Sequence, residues 1–250
     1  GAAGRGGPAV ISLATTFGFQ GVDIRCALEQ GEITLDTSLQ NLQILRDDFK
    51  SANLAIPSLL CYNRCFVNEG GESAMAAEIA RNLGVARAIG AHSIRLFGGY
   101  AKEGESIDAY ISRSAEVFRE ALRRDPGGPS IVIQNHQKSF VAREAAALAK
   151  KVDSPRFGLV FSPDHSFTMG EDDFDTLLQE IFPHTLEVYI ADVDPDDPKK
   201  SAVPGLGGVP LEETIAFFES QNFAGFYSFK WEKIWRPELA AAEEVFPAFI

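Results

Sequence analysis

A lysine at the end of an apolar segment is the first residue of this sequence that could do chemistry. Lys230 follows the aromatic run 226–229, which Gly225 opens and which is typical of a buried β-strand. Burying an ammonium group costs free energy unless a partner compensates for its lost hydration. A partly desolvated lysine amine can act as a base or as a Schiff-base nucleophile. We therefore treat Lys230 as the first candidate catalytic residue.

Three further residues could carry protons. His136 follows the apolar segment 130–134, and Asp164 and His165 follow the segment 158–161. Imidazole and carboxyl groups are common general acids and bases. The other two histidines, His92 and His184, precede apolar segments and are predicted to be structural. We expect His136, Asp164 and His165 to be catalytic proton carriers.

Three arginines are candidates for binding an anionic group. Arg25 and Arg95 lie within predicted strands, and Arg64 follows one. A guanidinium group binds carboxylates and phosphates through paired hydrogen bonds. The same positions are equally consistent with surface or salt-bridge arginines, so both interpretations stay open.

Hydrophobic periodicity divides the chain into strands that alternate with helices. The predicted strands are 21–25, 55–61, 92–97, 130–134, 158–161, 186–191 and 225–232. The predicted helices lie near 8–18, 36–49, 75–89, 111–122, 142–151, 172–181, 210–218 and 238–249. No G-x-G-x-x-G motif follows the early strands, which disfavours a doubly wound open sheet.

This alternation predicts an α/β fold, a (β/α)8 TIM barrel formed by one domain over residues 1–250. Seven strands are evident, and the first barrel strand, expected before Pro8, is truncated or lost. Functional side chains of such barrels converge at the carboxyl ends of the strands. The candidate substrate-binding residues at these ends are Arg25, Asn63, Arg95, Gln134, Ser162, Tyr189, Trp231 and Glu232.

Composition narrows the class of partner. The formal net charge of -12 argues against nucleic acids and anionic membranes, which attract basic surfaces. The three cysteines form no C-x-x-C motif, which favours thiols in a reducing compartment. We find no signal peptide and no apolar run of about 18 residues, so a cytoplasmic protein is expected. A homo-oligomer is left open.

Several segments together resemble the xylose isomerase-like TIM-barrel family of sugar isomerases and epimerases, which also includes hydroxypyruvate isomerases, nucleases and lyases. The resemblance extends from about Gly18 to the C-terminus, and the order and spacing of its segments are more specific than any one of them. The segments are Gly18–Asp23, Ile131–His136, Phe157–His165, Val188–Asp192 and Gly225–Glu232.

The resemblance implies a metal site whose ligands are replaced in this chain. Members of the family hold a divalent metal with a Glu, an Asp, a His and a second Glu. The matching positions here are Gln134, Ser162, Tyr189 and Lys230, none of which is a good ligand for a hard divalent ion. We therefore expect no cofactor at this site, and we expect the Lys230 ammonium group to replace the metal ion.

The resemblance also implies the reaction. We expect a metal-independent isomerase or epimerase, or a related lyase, that moves a proton next to the carbonyl of a sugar-like or hydroxy-carbonyl small molecule. One alternative is a family member that binds a ligand without catalysis. Another is an enzyme that holds Mg²⁺, Mn²⁺ or Zn²⁺ at a shifted site. The candidate ligands of that shifted site are His136, Asp164, His165, Asp192 and Glu232.

Lys230 also has a purely structural interpretation. It could form an ion pair that closes the top of the barrel and takes no part in chemistry. The candidate partners are Glu232, Glu187 and Asp164.

Overall fold

The computed structural model describes residues 7–26, 33–64, 71–137, 139–171 and 173–249. At residues 63, 64 and 248 it describes the backbone alone. Cys65 and the side chains of Asn63 and Arg64 therefore lie outside the described part of the chain.

The described residues form a curled parallel sheet of seven strands, a half-barrel in which the strands lie side by side in the order of the chain. This architecture is consistent with a TIM barrel of which seven strands lie in the described residues. The strands are β1 (Ile24–Cys26), β2 (Ser58–Arg64), β3 (Ser93–Phe97), β4 (Ser130–Gln134), β5 (Phe157–Phe161), β6 (Thr185–Ile190) and β9 (Phe226–Phe229). A separate antiparallel pair is formed by β7 (Asp192–Val193) and β8 (Ser201–Ala202).

Helices cover the outer face of the sheet. The α-helices are α1 (Gly7–Thr16), α2 (Leu39–Ser51), α3 (Glu72–Ile89), α4 (Ile107–Arg124), α5 (Ala142–Val152), α6 (Pro163–Thr168), α7 (Phe174–Ile181), α8 (Leu211–Ser220) and α9 (Ala242–Val245). Two 3₁₀ turns follow, at Phe182–His184 and Phe246–Ala248. In the part of the chain described, no helix is both long and apolar enough to cross a membrane.

The predicted alternation of strands and helices is confirmed, with local differences. The second strand lies three residues later than predicted, and the last strand ends at Phe229 and not at 232, so Lys230 follows it. The first strand begins at Ile24, because Gly21 makes only a single bridge to Ala55. The predicted last helix is shorter and consists of α9 and a 3₁₀ turn. The short helix α6 and the pair β7–β8 are not predicted from the sequence. A strand before Pro8 would lie in residues outside the described ranges, since α1 begins at Gly7.

The two faces of the sheet have different roles. On the outer face, alternate strand residues such as Ile94, Ile133 and Leu159 pack against the helices and are fully buried. Burying a side chain of this size stabilises the fold by roughly 1.5–3 kcal/mol. On the inner face, Val132 and Val160 form a small apolar layer with Tyr189. Polar side chains lie on both sides of this layer, and they form the sites described below.

Gly225 fixes the approach of β9 to its neighbour. A Cβ atom at this position would lie 2.4 Å from the Leu186 carbonyl oxygen and 2.3 Å from the Phe223 ring. We expect Gly225→Ala to lower the free energy of unfolding by about 1–3 kcal/mol through this overlap.

Gly84, within α3, has open space around its Cβ position and is the matched control. Gly84→Ala is expected to raise the free energy of unfolding by up to about 1 kcal/mol, because alanine favours the helix. Denaturant unfolding of both variants checks the pair. Equal effects of the two substitutions would contradict the packing described for β9.

Candidate functional site

Lys230 lies directly after β9, and its side chain turns into the half-barrel. Its backbone N–H donates to Ile190 O over 2.9 Å, which continues the pairing of β9 with β6. The Nζ atom lies 2.7 Å from Asp164 Oδ2 and 3.2 Å from His165 Nε2. The Lys230 side chain is 17% exposed and that of Asp164 is 8% exposed. Of the three predicted ion-pair partners of Lys230, Asp164 is the one in contact.

Both partners of Lys230, Asp164 and His165, lie in the short helix α6. Ser162 precedes the helix and Pro163 begins it, so Asp164 and His165 fall in its first turn. Asn135, at the end of β4, fixes the start of α6 by accepting from Ser162 N over 2.7 Å and donating to Ser162 O over 2.9 Å. Asn135 is absent from the predicted site residues. It positions α6 through backbone contacts.

Gln134 and Ser162, which the resemblance matches to two of the family's metal ligands, bond to each other. Gln134 Nε2 donates to Ser162 Oγ over 2.9 Å, and both side chains are buried. This amide–hydroxyl pair supplies no carboxylate charge. Since neither Gln134 nor Ser162 is charged, Asp164 is the one acidic side chain among the described residues that lies close to the Lys230 ammonium group.

The rings of His136 and His165 lie next to each other beside Lys230, with centroids 4.1 Å apart and planes tilted by 51°. His136 Nδ1 lies 2.9 Å from Gln137 O, so its proton is on Nδ1 and its Nε2 keeps a lone pair. Burial, and then the Lys230 charge, lower the pKa of His136 and hold the pKa of His165 well below its usual value. Both imidazoles are therefore neutral near neutral pH. The His136 Nε2 lone pair can accept a proton, whereas His165 Nε2 lies 3.2 Å from Lys230 Nζ and accepts a hydrogen bond from it.

A cavity of about 740 Å³ lies along the inner face of the sheet and ends beside Lys230. The predicted site residues that line it are Arg25, Arg95, Gln134, His136, Tyr189, Lys230, Trp231 and Glu232. A smaller polar cavity of about 210 Å³ adjoins it and is lined by Asp164 and His165. His136, Lys230, Trp231 and Glu232 line both cavities, so they lie at the junction. Ser162 lines neither cavity.

The two arginines of the cavity both lie against aromatic rings. The Arg25 guanidinium lies 5.7 Å from the Trp235 ring centroid. Arg95 is 4% exposed, lies 4.3 Å from the Phe97 ring centroid, and donates from Nη1 to Cys61 O over 3.3 Å. Cation–π contacts of this kind hold a guanidinium in place. Both groups are thus fixed at the cavity wall.

Trp231 and Glu232 have structural contacts besides their place at the junction. Trp231 is 7% exposed, and its indole N–H donates to Ala240 O over 3.1 Å. Glu232 Oε2 lies 3.8 Å from Arg236 Nε. Asn63, also predicted to bind substrate, has its side chain outside the described part of the chain.

Asp192 is a candidate ligand of the shifted metal site, but its carboxylate already accepts hydrogen bonds from the backbone. Its carboxylate accepts from the N–H groups of Val193, Gly205, Gly207 and Val209 over 2.9–3.0 Å. These bonds fold residues 193–209 back onto the end of β6. Asp192 therefore stabilises this loop, which contains β8 and the second residue of β7.

The described side chains do not fit a divalent metal. Among them, no group of three His, Cys, Asp or Glu residues is arranged to hold an ion. At the position that the resemblance matches to the family's metal site, the Lys230 Nζ atom lies 2.7 Å from Asp164 Oδ2. A cation placed there would meet this positive charge and the neutral amide of Gln134, and the Asp164 carboxylate is already paired with Lys230.

A buried pair of carboxyl groups, Asp23 and Glu187, lies deeper on the inner face. From the sequence, Glu187 is considered only as an ion-pair partner of Lys230, and Asp23 is given no role. Asp23 Oδ1 accepts from Ser58 N over 3.0 Å, and Ser228 Oγ donates to Glu187 Oε1 over 2.5 Å. Burial raises the pKa of Asp23 to about 6. Burial, and then the charge of Asp23, raise the pKa of Glu187 well above its usual value. Only the polar character of inward-facing positions 23 and 187 could have indicated this pair.

Comparison with solved structures gives neighbours that share the fold at low sequence identity. The IOLI protein with a binding zinc atom has a TM-score of 0.77 and 18% identity over 96% of this chain and 88% of that chain. The probable 3-DHS dehydratase AsbF, involved in petrobactin synthesis in Bacillus anthracis, has a TM-score of 0.69 and 15% identity over 96% and 90%. D-psicose 3-epimerase in the presence of D-fructose has a TM-score of 0.68 and 17% identity over 89% and 78%.

The family itself is shown by the sequence. A search of curated proteins found no match. The family model "Xylose isomerase-like TIM barrel" matches residues 11–246, which is nearly the whole chain. This chain belongs to the xylose isomerase-like TIM-barrel family.

Proposed function

We propose that this protein is an isomerase, epimerase or related lyase that moves a proton next to the carbonyl group of a sugar-like or hydroxy-carbonyl substrate, with Lys230 in place of a metal ion. The main support is the position of two side chains in the larger cavity. The Lys230 ammonium group and the neutral His136 ring both lie at the end of the 740 Å³ cavity. A fixed cation beside a neutral base is the arrangement that this chemistry needs. The family and the epimerase and dehydratase neighbours support the same class of reaction.

Lys230 is suited to polarising a carbonyl oxygen. Its ammonium group has three N–H donors, and the contacts with Asp164 and His165 use two of them. The third donor is available to a substrate oxygen. As negative charge develops on that oxygen in the transition state, the hydrogen bond to the ammonium group strengthens.

His136 is suited to accepting the proton. Its Nδ1–H donates to Gln137 O, so the lone pair on Nε2 is available, and its lowered pKa keeps the ring neutral. His165 Nε2 instead faces Lys230 Nζ, so its lone pair is engaged there. We therefore assign His136 as the base that removes the substrate proton, and His165 and Asp164 as the groups that hold Lys230 in position.

Binding without catalysis is a second candidate function, and one contact favours it. The Asp164 carboxylate lies 2.7 Å from Lys230 and offsets part of its charge. A lysine that is fully engaged by this ion pair would hold a ligand but stabilise little developing charge. The two candidates differ in whether a bound sugar exchanges its protons with solvent.

Proton exchange in deuterium oxide tests the proposal. Purified protein is incubated with D-fructose, D-psicose and hydroxypyruvate, and incorporation of deuterium next to the carbonyl is followed by NMR. We expect incorporation with at least one of these probes, because reversible proton removal precedes every reaction of this class. Binding by calorimetry without any incorporation would contradict catalysis and support the binding function.

A further inference from the structure

Glu171 lies three residues after helix α6, and its side chain hydrogen-bonds to two helices at once. The residue is 7% exposed. Its Oε2 atom accepts from Ala142 N over 2.8 Å and its Oε1 atom accepts from Arg143 N over 3.2 Å, and both N–H groups belong to the first turn of α5. Oε2 also accepts from Ser166 Oγ of α6 over 2.7 Å. The carboxylate thus joins α6 to the start of α5.

The start of α5 is a favourable place for a carboxylate. The first N–H groups of a helix have no partner within the helix, and its amino-terminal end carries a partial positive charge. A second carboxylate, that of Glu144, caps the same turn by accepting from Val141 N over 3.1 Å. Within the described part of the chain, Glu144 has no hydrogen bond to α6. The contact with α6 is therefore what distinguishes Glu171 from an ordinary helix cap.

Two buried side chains hold the two ends of α6. Asn135 binds the backbone of Ser162 at the start of the helix and also donates from Nδ2 to Ser166 Oγ over 3.0 Å. Glu171 binds Ser166 twice, through its carboxylate and through its backbone N–H, which donates to Ser166 O over 3.0 Å. A helix of six residues is not stable by itself. Its position therefore depends on these bonds.

The position of α6 determines the contacts of Lys230. Asp164 and His165 directly precede Ser166, and they lie 2.7 Å and 3.2 Å from Lys230 Nζ. A displacement of Ser166 would move both side chains relative to the ammonium group. Misplacement of a reacting group by about 1 Å can lower a rate by about 100-fold, even when its cause lies far from the chemistry.

We propose that Glu171 is a positioning residue, which fixes α6 against α5 and thereby holds Asp164 and His165 in contact with Lys230. The inference rests on the proposed function, because Lys230 is taken to polarise the carbonyl oxygen of the substrate. Glu171 lines neither cavity, so it acts through α6 and does not touch the ligand. Its loss should lower turnover more than ligand binding.

Two substitutions break the bond between the helices from its two sides, Ser166→Ala and Glu171→Gln. The matched control is Glu144→Gln, which weakens a cap of α5 without touching α6. The first readout is the ¹⁵N NMR signal of His165 Nε2, identified by its loss in His165→Gln. We expect both variants to move this signal toward that of an imidazole nitrogen without a hydrogen bond, because the contact with Lys230 loosens. The control should leave the signal in place.

The second readout is the rate of deuterium incorporation. We expect kcat to fall by about 10- to 100-fold in both variants, with KM within about 2-fold of the wild type, because the contacts held by α6 matter most in the transition state. The double variant should lose little more than either single variant, since both break the same bond. The control should keep nearly the wild-type kcat.

The outcomes separate this inference from the function on which it rests. If the His165 signal and kcat of both folded variants match those of the control, Glu171 only caps α5 and the inference is wrong. An equal change in all three proteins would also refute it. If the wild type incorporates no deuterium with any probe, the proposed function fails, while the His165 signal still decides whether Glu171 fixes α6. If thermal unfolding shows that Glu171→Gln does not fold, Ser166→Ala decides, because it leaves both bonds from Glu171 to α5 intact.

Discussion

Replacing Lys230 with methionine is expected to lower the rate of deuterium incorporation by about 100-fold or more, because removing one group that stabilises a developing oxyanion has an effect of this size. Methionine keeps much of the length of the lysine side chain and removes its charge. The substitution leaves Asp164 buried without its cation, so some loss of stability will accompany the loss of rate. Thermal unfolding measured beside the kinetics separates the two effects.

Lys200→Met is the control for the lysine substitution. Lys200 is 69% exposed and forms an ion pair with Asp197 at the surface, away from the cavity. We expect the Lys200→Met protein to keep nearly the wild-type rate and stability, since exposed ion pairs contribute little to the free energy of unfolding. A Lys230→Met protein that is folded and incorporates deuterium at the wild-type rate would refute the role given to this lysine.

Replacing Asp192 with alanine is expected to destabilise the protein by about 3 kcal/mol or more, because a hydrogen bond to a charged group contributes about 1.5–3 kcal/mol and several are lost together. The carboxylate accepts four backbone N–H groups, which no other described side chain replaces. The melting temperature should fall by about 6–12 °C for a domain of this size. Hydrogen exchange should increase across residues 193–209.

The neighbouring Asp196 gives a matched comparison within the same loop. It is exposed, and only its backbone N–H takes part in the hydrogen bonds of the loop. Asp196→Asn should therefore change the melting temperature by no more than about 1–2 °C. A similar small effect of Asp192→Ala would show that the loop does not depend on this carboxylate.

The fold was largely predictable because its signals are local. Strand runs such as 130–134 are apolar and bounded by turn residues, and helices such as α4 repeat their apolar residues every three to four positions. Strict alternation of the two then determines a parallel sheet with helices on one face. The predicted strand ends could thus be placed at one edge of the sheet, which brought Lys230 and His136 to the same cavity.

The details of the site depend on contacts between distant residues, which periodicity does not report. Helix α6 has six residues, too few for a periodic pattern, and it is fixed by Asn135 from another strand. The sequence suggests Asp192 as a metal ligand, because the backbone N–H groups that donate to its carboxylate belong to residues 13 and 17 positions further along the chain. Asp23 and Glu187 are far apart in the chain, so the burial that raises the pKa of both carboxyl groups has no signature in either segment.

The most direct test of the central claim measures deuterium incorporation by the wild-type protein after a chelator has removed divalent metals. If the Lys230 ammonium group takes the place of the metal ion, the metal-free protein keeps its full rate, and Lys230→Glu loses it. A wild-type rate that disappears with the chelator and returns on addition of Mn²⁺ or Zn²⁺ would contradict the account.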